Sequence, residues 1–156
     1  MKPTVATVFF EVLKRNGISH VYGLPGAQVS ALMDGASKDP AFTYILSRHE
    51  EAGPHMAHAY ARVTDSMAVC FGTTGPGSTN MVSAVQSACS DSIPLLVITA
   101  SNPSHCISPD RDMMQDSRNE EIFCHVTKWS VTLRSPERAG EIFERAVYMA
   151  LSGRPG

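Results

Sequence analysis

The sequence predicts an α/β fold, a doubly wound parallel sheet with helices on both faces. Three observations predict it. Apolar residues recur alternately at helical and strand periods along nearly the whole chain. The segments between them are short and rich in Gly, Pro, Ser and Asn. The length of 156 residues corresponds to one domain at about 150 residues each, enough for one sizeable core. Strands that alternate with helices on short connections pair in parallel and need cover on both faces.

Val5, Val8, Phe9, Val12 and Leu13 fall three and four residues apart and stop at Gly17, the pattern of an amphipathic helix closed by a C-terminal glycine. Residues 18–23, short, β-branched and aromatic, form a strand. The alternation continues with a helix over 29–37, a strand over 42–47, a helix over 49–63 and a strand over 67–73. A helix over 78–89 and a strand over 95–100 follow, then a looser stretch to Cys124 and a strand over 129–133. Ser135 as N-cap and Pro136 at the first helical position open a last helix. Its buried face is Ile142, Phe143, Ala146, Val147, Ala150 and Leu151, up to Gly153. Ser152-Gly153-Arg154-Pro155-Gly156 then stands where such a fold enters its next strand, and a longer parent chain is expected.

The charged fraction, 18%, is below the usual ~25%. Thirteen Lys plus Arg against 15 Asp plus Glu leave no basic stripe for nucleic acid. The longest strongly apolar run, 93–100, is far short of the ~20 residues of a membrane span, and no signal peptide is legible at the N-terminus. Cys70, Cys89, Cys106 and Cys124 lie too far apart for a zinc or redox motif. They are expected to be reduced, mostly buried thiols of a cytoplasmic protein.

In a doubly wound sheet, ligands bind outside the carboxyl ends of the strands. Three loops stand there: Gly23-Leu24-Pro25-Gly26, Ser47-Arg48-His49-Glu50-Glu51, and Thr73-Thr74-Gly75-Pro76-Gly77-Ser78-Thr79-Asn80. The last lacks the lysine and spacing of a phosphate-binding loop, so by itself it reads as a tight strand-to-helix turn. It can also offer flat backbone to a planar ring. Glu50 and Glu51 can serve the dipole of the following helix, or one of them can share a proton in an apolar cleft. His55 and His58 have a spacing that could suit a metal, but without further ligands they read as a polar helix face, and no metal site is assigned.

The order Y-G-x-P-G, R-H-E with A-x-x-Y-A-R downstream, T-x-G-P-G-x-x-N, then P-L-L-V-I-T resembles the N-terminal pyrimidine-binding domain of thiamine-diphosphate-dependent enzymes, most closely acetolactate synthase catalytic subunits. The resemblance implies a thiamine-diphosphate-binding fold over 1–156, belonging to a 2-oxo acid decarboxylase or carboligase. It places Glu50 where the family's glutamate meets N1′ of the aminopyrimidine, sharing a proton that favours the imino tautomer at the 4′ position. It also places Pro25 and Gly26 beside the pyrimidine, Thr73, Pro76 and Asn80 in the loop beneath it, and Gln28 and Gln115 on the substrate side, with Met113 and Met114 as an adaptable wall or as ordinary packing. The resemblance further implies that Mg²⁺ and the diphosphate are held by a C-terminal domain outside these residues, that FAD is possible in a middle domain, and that the assembly is a homo-oligomer, dimer or tetramer.

Departures narrow the expectation. Pro54 falls inside the Glu50 helix unless that helix begins late or bends. Ala27 and Gln28 replace a smaller Gly-Ala pair, which leaves the substrate open. The histidines of benzoylformate-type and pyruvate decarboxylases are missing, which favours a carboligase or acyl-transferring relative, and Glu50 is the acid that glyoxylate carboligase lacks. The alternatives are a complete small subunit of a two-chain sulfopyruvate or phosphonopyruvate decarboxylase, and a non-catalytic interaction module.

Overall fold

The computed structural model describes residues 3–107 and 113–156. Thr4 opens α1 (Val5–Arg15): its Oγ1 accepts from the Thr7 amide at 3.1 Å. The helix ends as the glycine predicts. The Gly17 amide donates to Lys14 O and the Ile18 amide to Leu13 O, with Gly17 at φ +68°. The chain turns at once into β1 (His20–Gly23). A 3₁₀ turn (Ala27–Val29) leads into α2 (Ser30–Lys38), and β2 (Thr43–Leu46) follows.

The helix expected from residue 49 begins three residues later, as α3 (Ala52–Thr64). Pro54 is the reason: as the third residue of α3 its missing N–H is one of those a helix start leaves unpaired anyway. Then come β3 (Ala68–Gly72), a single turn α4 (Pro76–Thr79), α5 (Val82–Ser90) and β4 (Leu95–Thr99). The helix expected over 78–89 is therefore two, because the chain tightens to a three-residue bond from the Met81 amide to Ser78 O. The looser stretch holds α6 (Ser104–Ile107) and α7 (Asn119–Phe123). Ser135 and Pro136 open a 3₁₀ turn into α8 (Ala139–Leu151), but the Ser135 hydroxyl bonds the Glu137 carboxylate rather than capping the backbone.

The sheet is parallel, in the order β2-β1-β3-β4, with Val21 opposite both Tyr44 and Val69, and Cys70 opposite Val97. Side chains alternate across it. Val21, Val69, Phe71 and Leu96 face α1, α2 and α8 through Phe9, Met33 and Phe143. Tyr22, Ala68, Cys70 and Leu95 face α3, α5 and α7 through Ala57, Ala61, Val85 and Phe123. Every residue of β3 is buried, the mark of an inner strand covered on both sides.

One strand expectation fails. Residues 129–133 join no ladder: the described sheet ends at β4. Their polar backbone finds side chains instead, the Thr132 amide donating to Glu120 Oε2 at 3.1 Å and Trp129 O accepting from Thr127 Oγ1 at 3.2 Å. β-Branched composition favours extended backbone but cannot supply a neighbour. A mostly apolar cavity of about 340 Å³ lies between this segment, β4 and α8.

The cysteine expectation also needs correction. All four thiols are free, but only Cys70 is fully buried; Cys89 and Cys106 are half-buried and Cys124 is exposed. Cys70 sits at the centre of β3, where burial pushes its thiol well above the usual range. Among the described residues no helix is long and apolar enough to cross a membrane.

At the end of α1, Lys14 Nζ lies 2.7 Å from Asp39 Oδ2. That bond, with one from the Ala41 amide, holds the Asp39 carboxyl below its ordinary 3.8. A lowered carboxyl pKa contributes stability above the unfolded-state value, and the contribution disappears as pH falls through the folded-state value. Asp39→Asn is thus expected to reduce the loss of stability below about pH 4, with little change in its slope near neutrality. Urea unfolding across that range measures it.

Candidate functional site

The strand order places a topological switch between β1 and β3, whose following connections run to opposite edges of the sheet. A crevice opens at such a point, beyond the carboxyl ends of the strands. The three predicted loops all lead from these ends: Gly23–Gly26 from β1, Ser47–Glu51 from β2 and Thr73–Asn80 from β3. β1 carries its loop on a firm base, because Gly23 O accepts from the Tyr44 hydroxyl and from the Ser47 amide, each at 3.0 Å. Burial pushes the Tyr44 phenol up, so it stays a donor.

Glu50 sits in the turn before α3, half-buried. Its Oε2 accepts from Asn80 Nδ2 at 3.1 Å. Its Oε1 faces Gly77, where an added Cβ would come within 3.7 Å and would also fall on the Thr73 methyl. A Cβ at Gly26 would likewise strike the Thr73 side chain, 2.5 Å from its Oγ1. Glycines at 26 and 77 therefore let the β1 and β3 loops close around Thr73 beside the Glu50 carboxylate. Thr73 Oγ1 donates to Gln28 Oε1 at 2.8 Å, bridging the same two loops. Of the predicted residues, Gly26, Gln28, Glu50, Thr73 and Asn80 are thus brought into one constellation. Pro25 lies exposed beside Gly26, and Pro76 is exposed at the first position of α4.

Gln115 is brought to this loop by its backbone. Its carbonyl accepts from Thr74 Oγ1 at 2.9 Å, and it holds a left-handed conformation at φ +62°. Met113 and Met114 beside it are 40% and 81% exposed, so they are not core packing. Gly75 meets Gln115 from the other side at φ +58°, ψ −124°, where a Cβ would stand 2.7 Å from Gln115 O. Gly75→Ala is expected to cost about 1–3 kcal/mol, since the backbone there is hostile to any L side chain. A lowered Tm in thermal unfolding is the check.

Sequence reading missed the groups that hold this loop. Ser78, fully buried, donates to Thr73 O and accepts from Asn119 Nδ2 at 3.0 Å. Ser117 Oγ accepts from the Gly75 amide at 3.3 Å and donates to Asn119 Oδ1 at 2.7 Å. No motif marks Asn119 or Ser117, which lie some forty residues beyond the loop they hold. His55 and His58 have different partners: His55 Nε2 lies 3.9 Å from Glu51 Oε1, and His58 Nε2 lies 3.3 Å from Asp91 Oδ2. Among the described residues no cluster of three or more His, Cys, Asp or Glu could hold a metal ion.

The arrangement is a carboxylate steadied by one amide donor, set beside glycine backbone and one threonine at the switch point of the sheet. Fold and site together define a doubly wound α/β domain with its candidate site at the switch point of the sheet. Residues 3–122 match the family model described as "Thiamine pyrophosphate enzyme, N-terminal TPP binding domain", and the chain belongs to that family. It is 38% identical over 154 residues to the acetolactate synthase large subunit of Parasynechococcus marenigrum, covering 97% of this chain and 25% of that protein. To the mitochondrial acetolactate synthase of Schizosaccharomyces pombe it is 34% identical, over 98% of this chain and 23% of that protein. To the glyoxylate carboligase of Escherichia coli O157:H7 it is 36% identical, over 93% and 24% respectively. The chain spans about a quarter of the length of these relatives.

Proposed function

We propose that residues 1–156 form the pyrimidine-binding domain of a longer thiamine-diphosphate-dependent 2-oxo acid decarboxylase or carboligase of the acetolactate synthase type. The observation that carries this reading is the Glu50 carboxylate, held by Asn80 and facing Gly77 at the switch point of the sheet. When bound, thiamine diphosphate supplies the electron sink for decarboxylation. The chain's own part is narrower. Glu50 would share a proton with N1′ of the ring, Pro25 and Gly26 would stand beside the ring, and Thr73, Pro76 and Asn80 would form the loop beneath it, with Gly77 leaving room beside Glu50. Gln28, tied to Thr73, and Gln115, on the facing segment, stand on the substrate side.

The same reading carries further proposals from the family resemblance: Mg²⁺ and the diphosphate held by a separate domain, FAD in a middle domain, a homodimer or homotetramer, and a cytoplasmic enzyme. The relatives' greater length supports the separate domains. If the diphosphate contacts lie elsewhere, these 156 residues bind the cofactor weakly by themselves. Calorimetry with thiamine diphosphate and Mg²⁺ is expected to show dissociation weaker than micromolar, short of the ~8 kcal/mol that micromolar affinity represents. Micromolar binding would overturn the division. Release of CO₂ from a 2-oxo acid by the full enzyme chain, dependent on added thiamine diphosphate, tests the activity itself.

A further inference from the structure

We propose that Asn119 is a positioning residue for Glu50, acting through Ser78 and the Gly-Pro-Gly turn; the inference rests on the role given to Glu50 above. Asn119 is 7% exposed, at the first position of α7. Both ends of its amide are engaged. Nδ2 donates to Ser78 Oγ at 3.0 Å and to Ala100 O at 2.8 Å, while Oδ1 accepts from Ser117 Oγ at 2.7 Å. Through these groups one side chain ties together the exit of β4 at Ala100, the exit of β3 at Thr73 O and the Gly75 amide at the head of the turn.

The turn needs such a tie. α4 is four residues long, and a helix that short cannot repay its own nucleation. Its geometry must come from outside. Asn80, the residue that holds Glu50 Oε2, stands two positions after Ser78, and its backbone amide donates to Pro76 O at 2.9 Å. If Ser78 loses its anchor, α4 slackens and Asn80 Nδ2 no longer has one fixed place opposite the carboxylate. A buried amide that is fully satisfied costs little, but a partly satisfied one costs its desolvation. The network therefore favours a single arrangement of the loop.

The test uses Asn119→Ala and Ser78→Ala, the second a small change that keeps the inference testable if the first unfolds. Without cofactor, amide hydrogen exchange is followed at Gly75 and Asn80 in this chain. Both variants are expected to speed it about tenfold, within the range of couplings between groups sharing one network, while Val69 and Phe71 in β3 stay protected. In the full enzyme chain at saturating cofactor, hydrogen–deuterium exchange at the thiazolium C2 is expected to slow by about tenfold in each variant. It should slow no further when either change is added to Glu50→Gln. Unchanged amide exchange overturns the inference, and so does a loosened loop with C2 exchange unaltered, since a purely structural role would do that. Additive slowing on Glu50→Gln overturns it as well. If Glu50→Gln alone leaves C2 exchange unchanged, the reading of Glu50 falls and this falls with it; if Glu50→Gln slows exchange and both variants do not, only this inference falls.

Discussion

Glu50→Gln in the full enzyme chain is expected to slow hydrogen–deuterium exchange at C2 of bound thiamine diphosphate by about 10²–10⁴-fold, the usual worth of general acid–base assistance. That corresponds to roughly 3–5 kcal/mol of barrier. The substitution keeps the size of the side chain and an oxygen to accept from Asn80 Nδ2. It removes the acidic proton that Glu50 would share with N1′, together with the carboxylate charge. Cofactor affinity should therefore change much less than the exchange rate. Glu51→Gln is the control: Glu51 is 43% exposed, 3.9 Å from His55, at the N-cap of α3. Its helix-dipole contribution is only ~0.3–1 kcal/mol, so exchange should stay near the unsubstituted rate. Equal rates for Glu50→Gln and the parent would remove Glu50 from the mechanism, and a large effect from Glu51→Gln alone would move the role one residue along.

The second large effect concerns the frame that carries these loops. Phe9 is fully buried, with its ring 5.2 Å from Phe10, 5.9 Å from Phe71 and 4.9 Å from Phe143. It thus joins α1, β3 and α8 at one point. Phe9→Ala deletes a ring that three elements pack against, and helices anchored by other contacts cannot all collapse into the gap. The expected loss is about 3–5 kcal/mol, a large share of the ~5–15 kcal/mol of a typical domain. Urea unfolding should show a lower midpoint with the slope retained. A loss below about 1 kcal/mol would mean that the junction is not the keystone its contacts suggest.

How far the sequence could be read depended on the range of the interaction being read. Gly17 closes α1, its amide donating to Lys14 O and the next amide, of Ile18, to Leu13 O, all within six residues, and the pattern was legible. Pro54 was legible as a conflict, which α3 resolves by starting at Ala52. Glu50 and Asn80 were legible only as members of separate motifs in a familiar order; their 3.1 Å bond spans thirty residues of chain. Asn119 and Ser117 carried no signal, since an asparagine at a helix start ordinarily reads as a cap or a turn residue. Trp129–Leu133 has strand composition, yet whether a neighbouring backbone lies in register beside it is not written in those five residues.

By itself the sequence determined the alternation of helices and strands, the parallel sheet covered on both faces, and the three loops at its carboxyl edge. Period, capping and turn chemistry act between neighbours in the chain, and they reach no further. The tertiary structure alone decided that α4 and α5 separate at Asn80 and Met81, that residues 129–133 stay unpaired in the described sheet, and that Cys70 is buried while Cys124 is not. It also decided that a buried amide at position 119 joins the exits of β3 and β4. These outcomes follow from which surfaces meet when the sheet closes under its helices. A buried polar group must then find its partner wherever in the chain that partner lies.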